Sequence, residues 1–152
     1  MKDSGQLELL IDLQRRERDR LAGSAAQAQR DVERAGSTLG MLRNYRQDYD
    51  ARSPKSRPAG FTTQGVLLHE GFTRKLDQAI GEQNVMVEHL SGTRDAQERL
   101  LVEQQRKLKA LETLEQRRAL EARRRAERRD QNQTDEFATQ SWTRSHQPRG
   151  RP

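Results

Sequence analysis

The 152-residue chain is 31% hydrophobic, 4% aromatic and 34% charged, with a net charge of +6 and no cysteine. So little apolar surface excludes a thick globular core, because ordering each residue costs roughly 1 to 2 kcal/mol that burial must offset. The missing cysteines exclude disulfides, thiolate metal sites and cysteine nucleophiles and fit a reducing compartment. No stretch of about 20 apolar residues is present to cross a bilayer, and the N-terminus shows no signal-peptide pattern, so a cytoplasmic protein is expected.

Residues 1–5 are expected to form a flexible N-terminus, with Ser4 as a candidate N-cap. From Leu7, alternating steps of four and three pass through Ile11, Gln14, Arg18, Leu21, Ala25, Ala28, Val32, Ala35, Leu39, Leu42, Arg46 and Tyr49. Ten of these thirteen positions are apolar, which predicts one helix over 6–51 offering a narrow seam to another helix. Two of the four prolines lie in SPKSRPAG at 53–60, so a turn is expected over 52–62, with Thr62 or Thr63 capping the next helix.

A second seam is read through Phe72, Leu76, Ala79, Gln83, Met86, Leu90, Thr93, Gln97, Leu100 and Gln104. It then shifts by one residue to Leu108, Leu111, Glu115, Ala119, Ala122 and Ala126, a slip that would relax a supercoil locally. No proline occurs between Pro58 and Pro148, so a helix is predicted over 63–140, ahead of a disordered tail at 141–152. The expected fold is all-α, an antiparallel two-helix coiled coil whose second helix overhangs the first.

Catalysis finds little support. There is no phosphate-cradling GxxxxGK[ST] run, and His69, His89 and His146 are scattered without metal-ligand or triad spacing, so no enzyme activity, metal or cofactor is expected. Residues 103–129 hold ten basic and five acidic groups. Part of that is a solvated helix face with i to i+4 neighbours such as Glu121 with Arg125 and Arg124 with Arg128, contributing little each. Nucleic-acid binding is not expected, because interleaved glutamates dilute the field and no aromatic lies nearby for base stacking. Direct membrane insertion is not expected either, since the apolar positions after Leu120 are mainly alanines. A protein with an acidic socket suits arginines on rigid helical spacing better. Leu42, Tyr45 and Tyr49 on the first helix, and Phe72, Leu76 and Ala79 on the second, should meet near the turn as core, interface or both.

Three stretches carry a family resemblance: LGMLRNYRQDYD at 39–50, GFTRKLDQAI at 71–80 and RRDQNQTDEFA at 128–138. In these motifs and their spacing the chain resembles the FliJ family of bacterial flagellar type III protein export, over residues 1 to about 144. The resemblance implies a cytoplasmic stalk-like protein at the inner membrane of the flagellar base. It implies three partners: the export ATPase hexamer, the cytoplasmic domain of the export-gate membrane protein, and export chaperones. By position, the gate contact would be Leu42, Tyr45, Tyr49, Phe72, Leu76 and Ala79, a face departing from the family pattern at Thr38 and Gln83. The ATPase contact would be Leu7, Ile11, Arg117, Arg118, Arg124, Arg128 and Phe137. A general coiled-coil scaffold or chaperone for export substrates, without ATPase coupling, is the alternative.

Overall fold

A computed structural model describes residues 2–53, 60 and 62–146, with side chains from residue 4 onward. Two helices account for nearly all of it, α1 (Lys2–Ala51) and α2 (Thr63–Ser145), and no strand occurs among the described residues. The fold is an antiparallel two-helix coiled coil with the longer helix second. Because α1 already begins at Lys2, Ser4 lies inside its first turn rather than capping it. Most of the expected turn (54–59 and 61), Met1 and the end of the expected tail (147–152) lie outside the described residues.

The helix ends follow from their residues. At the start of α2, Thr62 is the N-cap, its Oγ1 accepting from the Gly65 N–H at 3.1 Å. The last turn of α1 tightens, with the Arg52 and Ser53 N–H groups donating to the carbonyls of Tyr49 and Asp50. Gly60 has φ 112°, a left-handed conformation that glycine adopts without a Cβ penalty.

Packing divides the chain into two units, Arg15–Gln105 and Met1–Gln14 with Arg106–Pro152. In the first unit, Gln83 Nε2 donates to the Ala35 carbonyl at 3.0 Å and Arg94 Nη1 to Gln29 Oε1 at 3.4 Å, which fixes the antiparallel pairing. In the second, Leu7, Ile11 and Leu108 form a small core against which Leu111 packs.

On α1 all thirteen predicted seam positions are buried or half-buried. On α2 the register differs. The seam passes through Val66, His69, Thr73, Leu76, Ile80, Gln83, Val87, Leu90, Arg94, Gln97, Leu101, Gln104, Leu108, Leu111 and Glu115, all shielded and in an unbroken alternation of three and four. The expected one-residue slip after Gln104 is therefore absent, and Met86, Thr93 and Leu100 lie outside the seam as exposed residues. In a heptad lettered a to g, with a and d in the seam, the true partners of Leu76 and Leu90 are Ile80 and Arg94, and the residues mistaken for them hold the adjoining g position. Those g residues (Phe72, Ala79, Met86, Thr93, Leu100) are uncharged, where a two-helix coiled coil ordinarily carries charge, so they imitate a seam.

Candidate partner-binding surfaces

Unit Arg15–Gln105 holds the aromatic cluster. Tyr45 and Tyr49 project from consecutive turns of α1 with ring centroids 6.4 Å apart. Phe72 of α2 meets Tyr49 at 4.8 Å and Tyr45 edge-on at 6.2 Å. His69, one turn earlier on α2, stacks on Tyr49 at 4.4 Å with the planes 7° apart. Sequence reasoning missed His69, because the seam read through Phe72 leaves it out, whereas the observed register places it one step before Thr73 in the seam. Of the six residues assigned to this face, Leu76 is buried, Leu42, Tyr49 and Ala79 are half-buried, and Tyr45 and Phe72 are exposed. The cluster is thus both packing and surface: Leu76 is buried in the seam one turn after Phe72, while Tyr45 and Phe72 offer rings to solvent.

Beside the cluster, polar contacts close the hairpin. Arg46 Nε reaches Asp77 Oδ1 at 2.8 Å and its Nη1 reaches Asp50 Oδ1 at 3.1 Å, so the two carboxylates hold the guanidinium pKa above its ordinary value. Next along the same edge, Arg43 Nη2 donates to Asn84 Oδ1 at 3.0 Å. A pocket of about 380 Å³ opens there among residues that include Arg46, Asp50, His69 and Thr73. The buried Thr73 Oγ1 has no hydrogen-bond partner.

Unit Met1–Gln14 with Arg106–Pro152 holds the basic arm. Leu7 and Ile11, assigned to a partner contact, are buried at 8% and 2% exposure and pack on Leu108. They anchor α1 to α2 instead of presenting a surface. Beyond Glu115 every described residue of α2, 116–146, is exposed. Arg117, Arg118, Arg124 and Arg128 lie on this stretch in solvent, and Phe137 is 75% exposed. Glu121 and Arg125 pair at 3.8 Å, whereas Arg124 and Arg128, at the same spacing, carry like charges and repel. Near the end, Trp142 stacks on His146 with centroids 4.5 Å apart, and the Ser145 hydroxyl donates to the Trp142 carbonyl, satisfying a last-turn acceptor.

A helical stretch this long with no side chain packed on the other helix is held by its propensities and by contacts along its own surface. Among the described residues no group of three or more His, Asp or Glu is placed to hold a metal, and no helix is long and apolar enough to cross a membrane. The family profile described as Flagellar FliJ protein matches residues 2–147. The chain belongs to the FliJ family. Flagellar FliJ proteins of Salmonella typhi and Escherichia coli (strain K12) are each 27% identical to it over 138 residues, covering 91% of this chain and 94% of theirs. No solved structure gives a significant match. Membership places the chain among components of flagellum biogenesis and flagellar protein export.

Proposed function

We propose that this FliJ-family chain is a nonenzymatic coupling protein of the flagellar type III export apparatus. Its basic arm binds the ring of the export ATPase and raises ATP turnover. Its aromatic cluster engages the cytoplasmic domain of the export-gate protein. The chain also handles export chaperones, working in the cytoplasm at the flagellar base. The observation that carries this reading is the arm itself: residues 116–145 are helical and exposed on every side, with arginines spaced to meet carboxylates. Within the ATPase contact, Arg117, Arg118, Arg124, Arg128 and Phe137 touch the partner, and Leu7 and Ile11 brace α1 against the start of the arm. Within the gate contact, Tyr45 and Phe72 lead, Tyr49 and Ala79 border them, and Leu42 and Leu76 support from the seam. ATP chemistry belongs to the ATPase; this chain supplies surface and charge.

The test is ATP hydrolysis by the purified cognate export ATPase with and without the protein. Stimulation is expected, and it should be lost when Arg117, Arg118, Arg124 and Arg128 are all changed to alanine, with the helical CD signal retained. Tyr45→Ala with Phe72→Ala should weaken binding to the gate protein's cytoplasmic domain while leaving stimulation intact. An ATPase whose rate ignores the protein would refute the coupling reading and leave a scaffold for export substrates.

A further inference from the structure

The two edges of the hairpin in unit Arg15–Gln105 are chemically unlike. Along the e edge, Arg46 reaches Asp77, Arg43 reaches Asn84, and Arg94 reaches Gln29, so the helices are bridged by polar side chains. The g edge is different. Tyr45 meets Phe72 there, and stepping by sevens from that pair puts Thr38 opposite Ala79, Asp31 opposite Met86, Ser24 opposite Thr93, and Glu17 opposite Leu100. Where apolar g residues adjoin apolar seam residues, as Met86 does Val87 and Leu90 and as Leu100 does Leu101, α2 carries the wide stripe of a helix that packs on two neighbours, yet α1 covers only one side of it. Met86 and Leu100 are left 49% and 47% exposed.

Between them the surface is concave. A groove of about 480 Å³ is lined by the small residues Gly23, Ser24, Ala28 and Thr93 together with the longer Gln27, Gln97, Arg20 and Asp31. Small side chains let another backbone approach closely. Met86 and Leu100 stand fourteen residues apart, about 21 Å along the helix. That span fits about four turns of one added helix, and two half-exposed side chains fall far short of the roughly 800 Å² per partner of a stable dimer. The border is acidic: Glu17 and Arg20 pair with each other at 2.6 Å, and Asp31, Glu82 and Glu103 then stand against Arg34 alone. This holds although the whole chain is +6.

We infer that the g-edge groove between Met86 and Leu100 docks a single amphipathic helix of another protein, one whose apolar stripe is flanked by lysine or arginine. The site is separate from the aromatic cluster and the basic arm, and does not rest on the roles proposed for them. Met86 and Leu100 supply an apolar contact at each end of the groove for the stripe of the bound helix, and the acidic rim selects its flanks.

The experiment uses the full-length protein and a fluorescein-labelled synthetic Leu/Lys amphipathic helix of about 18 residues, followed by anisotropy, with a Leu/Glu twin as the charge control. Saturable one-to-one binding of the lysine peptide is expected, weakened about tenfold or more by Met86→Ser with Leu100→Ser. Ser24→Phe, which fills the groove from α1, should do the same. Val85→Ser, which removes a neighbouring exposed apolar residue outside the edge, should leave binding unchanged, and the glutamate peptide should bind much more weakly. CD checks that each variant keeps its helix content. No saturable binding, or equal losses from Val85→Ser, would overturn the inference. So would Met86- and Leu100-dependent self-association in sedimentation equilibrium, or Met86- and Leu100-dependent capture by phosphatidylglycerol vesicles.

Discussion

Leu100 and Leu101 are adjacent, identical in type and in one helix, but they stand on opposite sides of the seam boundary. Leu101 is a shielded a position, while Leu100 is 47% exposed at g. Changing either to alanine alters helix propensity equally and changes the unfolded chain almost identically, so the comparison isolates packing. Leu100→Ala gives up about half of what a fully buried leucine gains, roughly 1 kcal/mol. Leu101→Ala loses transfer energy and leaves space in the interhelical layer; as a half-buried site it belongs at the low end of the usual range, about 2 to 3 kcal/mol. A gap of about 1.5 kcal/mol corresponds to roughly 3 to 6 °C in Tm for a chain of this size. Urea unfolding and thermal melts followed at 222 nm measure both. If Leu100→Ala proves as damaging as Leu101→Ala, the seam passes through Phe72, Met86 and Leu100, and the g-edge argument falls with it.

Gly81→Ala and Gly92→Ala should each raise stability by about 0.5 to 1 kcal/mol in urea melts, since a Cβ at either position meets only open space. Gly60→Ala should instead lower it by about 1 to 3 kcal/mol, because an alanine at φ 112° is strained. Asp77→Ala should cost under about 1 kcal/mol at low salt and still less at 1 M salt, as the carboxylate that Arg46 engages is 57% exposed. Hydrogen exchange should show amides of 116–146 protected far less than those of 76–104, and comparable protection along all of α2 would contradict an unpacked arm.

The sequence made the seam of α1 legible because its alternation of four and three runs unbroken from Leu7 to Tyr49, although exposed leucines at 9, 10 and 13 flank its start. On α2 the helix and its length were legible, but the register was not. Leucines at 76 and 90 belong to both possible seams, and the competing positions offered Phe72, Met86 and Leu100 against Thr73, Val87 and Leu101. Hydrophobicity alone could not choose between those sets, and the charged seam residue Arg94 argued against the true one. What decided it was packing against α1, which shields Thr73, Ile80, Val87, Arg94 and Leu101 and brings Arg94 to Gln29, while Phe72, Met86 and Leu100 stay exposed. The aromatic residues were visible as a group, whereas the division between Tyr45 and Phe72, which face solvent, and Leu76, which does not, required that register first. Leu7 and Ile11 were legible as seam residues, and their role as a partner contact came from the family resemblance alone; Leu108 packs on them.

The position of the arginines along the arm has a thermodynamic sense. An isolated helix is marginal in water, and nothing packs on residues 116–146, so order there depends on local propensity. The nearer half, RRALEARRRAERR at 117–129, consists wholly of arginine, alanine, leucine and glutamate, among the strongest helix formers, and extends directly from the core around Leu108 and Leu111. The farther half, DQNQTDEFATQSWTRS at 130–145, contains asparagine, aspartate, serine and three threonines. Those threonine hydroxyls, at 134, 139 and 143, turn back to the carbonyls of Asp130, Asp135 and Thr139, a local bonding that competes with the helix. Arg117, Arg118, Arg124 and Arg128 therefore stand on the segment that costs least to hold in place, so a partner that reads their spacing loses little affinity to ordering. Phe137 stands where ordering is expensive, and binding there is offset only if its ring, 75% exposed in the free protein, is fully covered by the partner.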